Sequence, residues 1–387
     1  MPLHKIDGIK KDGLQKYNVR INYTDNSGKP KQLTRTAYGK EAANDLERQL
    51  QNDIKTKGEG AVKRLTVDQL FEKYVAVKQK ELRESSLDKS RRNYNLYVRP
   101  TMGDVRLDKL TIPMLHEWKV SIEQKENDGK PLSLVTRKQA YSIFSALLNF
   151  GVQSEYTDKN PLKKVGNFKD ALDVSGKTKM SIYTAQQFSS FISTSRRIAQ
   201  ERESKSGDLS EWGYYVFFSI AFYTGLRKGE IHALRWSDLD GKLLSVKRSI
   251  TQKLKGDDRE TPPKNKSSIR TLQMPMPLIE ILQEHKERQK ALLHFSDEYR
   301  VCGGERSLRD TTIQKRNVYY AAQSDLQVIR IHDYRHSHVS VLANSGINIQ
   351  EIARRLGHTK VEMTWNTYSH LYPHEEEKAV SILDKIR

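Results

Sequence analysis

The residues from His332 to Tyr368, HDYRHSHVSVLANSGINIQEIARRLGHTKVEMTWNTY, contain the pattern that decides the fold. His332 and Arg335 stand three residues apart in a predicted helix, so their side chains are expected on one face. A Leu-Gly-His triplet ends at His358, and Tyr368 comes ten residues later. The further histidines His336 and His338 lack a cysteine set or a His-Glu-x-x-His pattern. We therefore interpret those two as ordinary helix residues and expect no metal site.

Two further motifs lie upstream of this stretch. Residues 224–230, Thr-Gly-Leu-Arg-Lys-Gly-Glu, place Arg227 at a helix start, where its planar guanidinium can reach a phosphate. Residues 263–270, Pro-Lys-Asn-Lys-Ser-Ser-Ile-Arg, form the basic tip of a predicted hairpin, where a lysine could deliver a proton to a leaving oxygen. Each motif alone is equally compatible with an ordinary charged surface turn. Glu230 and Asp238 are expected to brace the Arg227 turn rather than to react.

Together these motifs resemble the active-site signature of tyrosine recombinases, in the same order and with similar spacing. The closest resemblance is to integrases of phages and conjugative transposons from Gram-positive bacteria. The catalytic residues that the resemblance implies are Arg227, Lys264, His332, Arg335, His358 and Tyr368. Lys266 remains an alternative to Lys264, and Tyr372, one helix turn beyond Tyr368, is the alternative nucleophile. The Leu-Gly-His spacing favours Tyr368.

The resemblance implies a site-specific recombinase that integrates and excises a mobile element. Tyr368 would attack a phosphodiester to form a 3′-phosphotyrosyl link, and Lys264 would protonate the departing 5′-oxygen. Two guanidiniums pairing with the phosphate oxygens would offset the charge that builds up during attack. A tyrosine has an ordinary pKa of about 10 and needs such a cationic pocket to react near neutrality. We expect no cofactor and no metal, and no ATP, because the covalent link conserves the energy of the broken bond.

The fold class that follows is multidomain and mainly α, with small β elements. The resemblance divides the chain into residues 1–60, an arm-type DNA-binding domain of a β-sheet plus a helix, and residues 65–163, a helical SAM-like core-binding bundle. Residues 178–387 would form a mixed α/β catalytic domain with a C-terminal docking tail. Residues 164–180 have the composition of a flexible connector.

Local patterns support these divisions. Alternation over residues 17–23, a turn at 25–29 and a return over 31–37 predict a β-hairpin followed by a helix over 40–55. Helices are predicted from Thr66, over residues 86–98, from Thr111 and over residues 133–150. The bundle is expected to end at Asn160-Pro161. The candidate DNA-contacting residues are Arg20, Lys29, Lys31, Lys89, Arg91, Arg92, Arg137 and Lys138.

Composition agrees with a polyanionic partner. The 387 residues carry 67 Lys plus Arg against 48 Asp plus Glu, a formal net charge of +19. Nucleic acid is the commonest such partner, and an anionic membrane surface is the alternative. The most apolar run, residues 214–223, is too short to cross a bilayer and predicts a buried helix. A single cysteine, Cys302, predicts no internal disulfide and an inert thiol.

We expect the protein to act in the bacterial cytoplasm, at the nucleoid, as a homotetramer on double-stranded DNA that bridges core and arm attachment sites. Residues 374–386 alternate acidic and apolar side chains and predict an amphipathic docking helix. An excisionase and a host DNA-bending protein are possible partners; no membrane is expected. The rival functions are a type IB topoisomerase, a chromosome-dimer-resolving recombinase and a DNA-binding regulator with an inactive site.

Overall fold

The computed structural model describes residues 3–24, 29–57, 65–169, 180–252, 258–262, 266–291, 294–369, 380 and 383–384. The chain divides into two compact units, Met1–Ser175 and Gly176–Arg387. Both units are mainly helical with small sheets, as the sequence predicts. Among the residues that the structure describes, none of the helices combines the length and apolar character that a bilayer crossing needs.

The first unit begins with a three-stranded antiparallel sheet covered by one helix. Its elements are β1 (Leu3–Lys11), β2 (Leu14–Thr24), β3 (Pro30–Tyr38) and α1 (Lys40–Lys57). The predicted hairpin is β2–β3, in which Val19 and Ile21 turn inward and pack near Ala43 of α1. Strand β1 was not predicted, although Asp12-Gly13, both at positive φ, is the dipeptide expected in a tight hairpin turn.

A helical bundle completes the first unit. It consists of α2 (Val67–Lys78), α3 (Glu84–Tyr97), α4 (Arg99–Met102), α5 (Ile112–Gln124), the small hairpin β4 (Glu126–Asn127) and β5 (Lys130–Pro131), α6 (Leu134–Gln153) and α7 (Leu162–Val165). The hydroxyls of Thr66, Thr111 and Ser133 accept backbone N–H bonds at the starts of α2, α5 and α6, as capping residues do. Trp118 and Phe144 meet edge to face in the bundle core. The four predicted helices are therefore confirmed.

The expected end of the bundle at Asn160-Pro161 is wrong. The side-chain oxygen of Asn160 accepts the Leu162 N–H at 3.0 Å, and Pro161 caps α7, which continues the bundle. Phe168 then buries 99% of its side chain against Trp118. The composition of residues 164–168 predicts a flexible connector. The segment instead packs on the bundle, because burial of the Phe168 ring holds it there although its neighbours are polar. Residues 170–179 lie outside the described part of the chain.

The second unit surrounds one buried helix. Its elements are α8 (Ala185–Ser206), α9 (Ser210–Thr224), α10 (Lys228–Ala233), β6 (Leu239–Asp240), β7 (Leu243–Val246), β8 (Ser249–Thr251), β9 (Arg259–Thr261), β10 (Arg270–Gln273), α11 (Met276–Lys290), α12 (Asp310–Gln323), α13 (Asp333–Asn344), α14 (Ile349–Leu356) and α15 (Val361–Tyr368). Helix α9 is buried along nearly its whole length, which confirms the buried helix predicted from residues 214–223. The aromatic rings of Phe188 and Phe222 stack at 3.7 Å where α8 crosses it.

The predicted strand-like stretches pair with one another. Strand β10 runs antiparallel to β7, with Arg270 opposite Val246, in a sheet of order β10-β7-β6. Strands β8 and β9 form a separate two-stranded ladder. Cys302 is buried, and burial raises the pKa of its thiol, in agreement with the inert role expected for it. The fold class predicted from the sequence is confirmed.

The packing of Phe168 can be tested by its removal. Phe168→Ala should destabilise the first unit by about 3 kcal/mol, because a fully buried ring leaves a cavity when it is truncated. Urea unfolding of the full chain, followed by circular dichroism, measures the change. Lys169→Ala, one residue away and exposed, is the matched control and should change stability by less than about 0.5 kcal/mol. Equal small effects would show that residues 164–168 do not belong to the folded bundle.

Candidate active site

Arg227 is placed by a sharp reversal between two helices. Helix α9 ends at Gly225, whose φ of +64° is the left-handed conformation that favours glycine. A Cβ at that position would lie 2.7 Å from a ring carbon of His338, so the space also requires glycine. Arg227 then begins α10, and its backbone N–H and Nη1 both donate to the Glu230 carboxylate at 3.0 Å. Its side chain remains 38% exposed, which leaves the guanidinium accessible to a ligand.

Glu230 joins this turn to the sheet. Arg270, at the start of β10, donates from Nη2 to the second Glu230 oxygen at 3.0 Å, and both side chains are buried. Burial alone would raise the pKa of Glu230, but Arg270 and Arg227 outweigh it and hold that pKa below its ordinary value. Arg270 Nε also donates to the Arg355 carbonyl at 2.6 Å, which ties the sheet to α14. The expectation that Glu230 braces Arg227 agrees with these bonds.

Asp238 does not brace Arg227. It accepts the Arg235 N–H at 3.1 Å and pairs with Arg248 near the β8–β9 ladder. Glu260 on β9 bridges Arg235 at 3.1 Å and Arg300 at 3.3 Å. These ion pairs hold the β8–β9 ladder. The candidate lysines follow β9, which pairs with β8, and precede β10, which pairs with β7, so they belong to the connection between two sheets and not to the tip of that ladder. Lys264 lies outside the described residues, as does the side chain of Lys266.

Arg335 lies at the centre of the site, 3% exposed on α13. Its Nη1 donates to the Gly225 carbonyl at 2.7 Å, and its Nη2 donates to the Leu356 carbonyl and to His358 Nε2, both at 2.9 Å. Burial, and then the charge of Arg227, lower the pKa of Arg335 to about 9, so the side chain stays cationic at neutral pH. One guanidinium thus holds together the C-terminal ends of α9 and α14.

His358 is oriented by two hydrogen bonds. Since Arg335 can only donate, His358 Nε2 accepts, and Nδ1 donates to the Thr364 hydroxyl at 2.8 Å. Burial and Arg335 lower the pKa of His358 to about 4, which favours this neutral form. The preceding Gly357 is at φ +66°, the left-handed region that favours glycine, and a Cβ there would lie tightly against Arg270 Nη1, at 3.0 Å.

His332 precedes α13 and meets His336 edge to face, with ring centroids 4.9 Å apart. The rest of its surface is exposed. This partial burial, and then the charge of Arg335, lower the pKa of His332. His332 and Arg335 are therefore near enough to interact, as their helical spacing predicts.

Tyr368 ends α15 with its ring in a small apolar cluster and only 2% of its surface exposed. Its hydroxyl lies 2.6 Å from His336 Nδ1. Burial raises the pKa of Tyr368 to about 12, although Arg335 and Arg227 both act in the opposite direction. The Tyr368 hydroxyl thus contacts the residue that follows Arg335 on α13, and the charges of both guanidiniums act on it. The alternative nucleophile, Tyr372, lies outside the described residues.

His336 is the residue that the sequence interpretation missed. It was assigned to the ordinary helix surface, yet its ring contacts the hydroxyl of Tyr368. The helical spacing used for His332 and Arg335 also places His336, four residues after His332, on the same face. His338 agrees with its structural assignment, because its ring is buried and bonded to the Phe222 carbonyl at 2.8 Å.

The candidate DNA-contacting residues all lie in the first unit. Arg20 is exposed on β2, on the face opposite to the one that α1 covers, whereas Lys31 shares the parity of Leu33 and lies on the covered face. Lys29 is exposed just before β3. Arg137 on α6 is half-buried. The other helical candidates, on α3 and α6, are exposed: Lys89, Arg91, Arg92 and Lys138. Exposure alone does not test contact with DNA, so these assignments stay predictions.

Two known family models match parts of this chain. Residues 185–375 match the phage integrase family, and residues 66–120 match the phage integrase N-terminal SAM-like domain. Residues 185–375 are a phage integrase family domain. The recognition of a tyrosine recombinase from its motifs is therefore confirmed.

The chain is similar to several curated integrases. It is 33% identical over 250 residues to the ICEBs1 integrase of Bacillus subtilis (strain 168), which covers 62% of this chain and 63% of that protein. The chain thus spans less than two thirds of that relative's length. It is 22% identical over 325 residues to a putative prophage phiRv2 integrase of Mycobacterium tuberculosis, covering 80% and 76% of the two chains.

Solved structures share the fold of this chain. The Tn1549 transposon integrase in complex with transposon right end DNA superimposes with a TM-score of 0.62 at 21% identity, covering 83% of this chain and 99% of that one. A lambda integrase tetramer bound to a Holliday junction superimposes with a TM-score of 0.53 at 15% identity, covering 93% and 96%. At these identities the likeness concerns the fold.

The requirement for glycine at position 225 is testable. Gly225→Ala should cost clearly more than the roughly 1 kcal/mol of a left-handed alanine, because the new Cβ also meets His338. Gly346, at φ +77°, is the matched control, since a Cβ there would have no other atom within 4 Å. Gly346→Ala should therefore cost the backbone strain alone. Urea unfolding measures both, and equal losses would show that the His338 contact relaxes freely.

The buried ion pair between Glu230 and Arg270 predicts that the stability of the fold depends on pH. Glu230→Gln should lower the free energy of unfolding at pH 7 by about 3 kcal/mol, because Arg270 loses its buried counter-charge. The exposed pair Glu351–Arg354 supplies the control, and Glu351→Gln should cost less than about 1 kcal/mol.

Because the folded pKa of Glu230 is depressed, its contribution is fully present above the ordinary value of about 4.3 and is lost as the pH falls through the lower folded value. The difference between wild type and Glu230→Gln should therefore shrink in that acid range. A difference that stays constant down to about pH 3, well below that ordinary value, would contradict the assigned ion pair.

Proposed function

We propose that the chain is a site-specific DNA recombinase that integrates and excises a mobile element by cutting and rejoining strands through a 3′-phosphotyrosyl intermediate. The observation that carries the proposal is that α13 brings three separated stretches together: Arg335 bonds to the Gly225 carbonyl, two residues before Arg227, and to His358, and the next residue, His336, contacts the Tyr368 hydroxyl. Ordinary surface charges from such distant parts of the sequence would not be expected to cluster around one hydroxyl. The phage integrase family domain over residues 185–375 and the related curated integrases support the same conclusion.

The charges suit the attack of a phenol on a phosphodiester. Arg335 hydrogen-bonds only neutral groups among the described residues, so its positive charge is not spent on a carboxylate. Arg227 shares its charge with Glu230 but remains partly exposed. In the proposed reaction both guanidiniums bind the non-bridging oxygens and stabilise the charge that develops on them. His332 and His358 add hydrogen bonds at the same phosphate.

The proposed step balances without a cofactor or an external energy source. The Tyr368 oxygen forms a bond to phosphorus, and the bond from phosphorus to the 5′-oxygen breaks. Lys264, with Lys266 as the alternative, supplies the proton to that departing oxygen from the connection between β9 and β10. The reverse attack by a 5′-hydroxyl restores the strand, because the phosphotyrosyl link conserves the energy of the phosphodiester.

The first unit would hold the DNA. In this proposal residues 1–60 bind arm sites, residues 65–163 bind the core site, and residues 178–387 cut it. The exposed cations of α3 and the open face of β2 supply phosphate contacts, with the salt dependence that counterion release brings. Four copies would assemble on two core sites through the C-terminal tail, in the bacterial cytoplasm at the nucleoid. An excisionase and a host DNA-bending protein would set direction and DNA path.

Trapping of the covalent intermediate tests the proposal. The full-length chain is incubated with a pool of nicked duplexes of random core sequence, in which release of a short fragment prevents rejoining. Protein–DNA adducts that survive detergent are captured, sequenced and resynthesised as a defined substrate. We expect wild type and Tyr372→Phe to give adducts, and Tyr368→Phe to give none, because only the phenol oxygen can form the ester.

Three outcomes would contradict the proposal in different ways. No adduct with wild type would remove the strand-cutting activity, and an adduct lost only in Tyr372→Phe would reassign the nucleophile. Relaxation of a supercoiled plasmid that lacks the recovered sequence, at the rate seen when it is present, would indicate a topoisomerase instead. A paired substrate should yield recombinant products with wild type alone or with added host extract.

A further inference from the structure

A histidine that is not among the catalytic residues implied by the resemblance contacts the proposed nucleophile. His336 Nδ1 lies 2.6 Å from the Tyr368 hydroxyl oxygen, across 32 residues of sequence. The two rings are inclined at 56° with centroids 5.4 Å apart, so the contact is through the ring edge and not a stack. Such a distance requires one of the two atoms to donate a proton to the other.

The surroundings of His336 decide which atom donates. Its other nitrogen, Nε2, faces an oxygen of the Asp333 carboxylate at 3.9 Å. Asp333 is buried and fixed by the backbone N–H, Nε and Nη2 of Arg330, at 2.8–3.0 Å. A nearby carboxylate favours a proton on Nε2, which leaves the Nδ1 lone pair free to accept from the phenol. Tyr368 therefore donates to His336.

His336 is neutral at physiological pH and so has a lone pair to offer. Burial, and then the neighbouring His332, lower the pKa of His336 to about 4. The other groups that act on the ring are Asp333, which raises that pKa, and Arg330 and Arg335, which lower it. A phosphodiester entering beside Arg335 adds negative charge, which raises the pKa of His336 and makes it a stronger proton acceptor.

The other histidines of the site are not placed for this task. His358 has both ring nitrogens engaged, one accepting from Arg335 and the other donating to Thr364. His332 touches His336 through its ring. Among the residues that the structure describes, His336 is the hydrogen-bond partner of the Tyr368 hydroxyl.

We propose that His336 is the general base that takes the proton from Tyr368 as its oxygen attacks phosphorus, with Asp333 orienting the ring. The inference rests on the proposed recombinase function. One proton passes from the Tyr368 oxygen to His336 Nδ1 while a separate acid protonates the departing 5′-oxygen. On rejoining, His336 returns its proton to the phenol oxygen as the phosphotyrosyl bond breaks. The chain therefore uses different residues for the acid and the base.

The substrate for the test is the duplex recovered by adduct capture, made in two forms. One has the ordinary 5′-bridging oxygen, and the other has a bridging sulfur, which leaves without being protonated. His336→Asn keeps a hydrogen-bond acceptor near the position of Nδ1 but cannot take up a proton. We expect His336→Asn and His336→Ala to form adducts about 10²–10⁴-fold more slowly than wild type on both substrates. Lys264→Ala, in contrast, should be slow with oxygen and regain its rate with sulfur.

A second readout separates a base from a merely structural ring. Added imidazoles should restore part of the rate of His336→Ala, with an effect that grows with the pKa of the imidazole. The logarithm of the wild-type rate should rise with pH through one titration that is missing in His336→Asn, while His332 and Asp333 are unchanged in both. Gel shifts at equal protein concentration and thermal melting establish that each variant folds and binds DNA.

The outcomes are distinct from failure of the proposed function. If wild type forms no adduct, the recombinase proposal itself fails. If wild type forms it and His336→Asn is within about threefold of that rate, far from the loss expected on removing a general base, His336 is not the base. The inference is also overturned if the bridging sulfur rescues His336→Asn, or if imidazole does nothing for a folded, DNA-binding His336→Ala.

Discussion

The buried carboxylate of Glu230 is the constraint on which the site depends. It accepts from the backbone and guanidinium of Arg227 and pairs with Arg270, which in turn donates to the Arg355 carbonyl of α14. One negative charge therefore fixes the start of α10, the first residue of β10 and the end of α14 relative to each other. A buried carboxylate that lost those two cations would be strongly destabilising, so the ion pairs hold the three elements in one arrangement.

Around this ion pair, the remaining positive charge is kept available. Arg335 is buried but bonded only to the carbonyls of Gly225 and Leu356 and to His358, among the residues that the structure describes. These neutral acceptors bind its Nη1 and Nη2 without cancelling its charge, and burial, followed by that charge, depresses the pKa of His358. The site thus combines one arginine that is partly compensated with one that is not. A phosphodiester would supply the missing counter-charge, which explains why such a pocket is stable yet poised for an anion.

Much of this architecture could be predicted from local sequence. The β2–β3 hairpin follows from alternation, and the starts of α2, α5 and α6 follow from capping residues, because both signals act within a few residues. Strand β1 was missed although Asp12-Gly13 marks its turn. The packing of Phe168 was missed for a different reason, since a single ring in a polar stretch shows its burial only when its partner, Trp118, is known. The composition of a segment does not reveal a contact made by one of its residues with a distant side chain.

Sequence motifs could predict only some of the residues of the site. The order of Arg227, Arg335, His358 and Tyr368 could be recognised because the resemblance supplies it. The resemblance assigns no role to His336, whose contact with Tyr368 joins residues 32 positions apart. Burial of the Tyr368 ring is likewise a tertiary property, and it raises the pKa of the phenol that would lose its proton in the proposed reaction. Arginines alone then do not suffice, because they stabilise the phenolate without accepting its proton. A nucleophile held in an apolar cluster needs an acceptor within hydrogen-bond distance, and α13 provides one next to Arg335. In the proposed reaction, the same helix would therefore place both the charge that binds the phosphate and the nitrogen that takes the proton from the attacking oxygen.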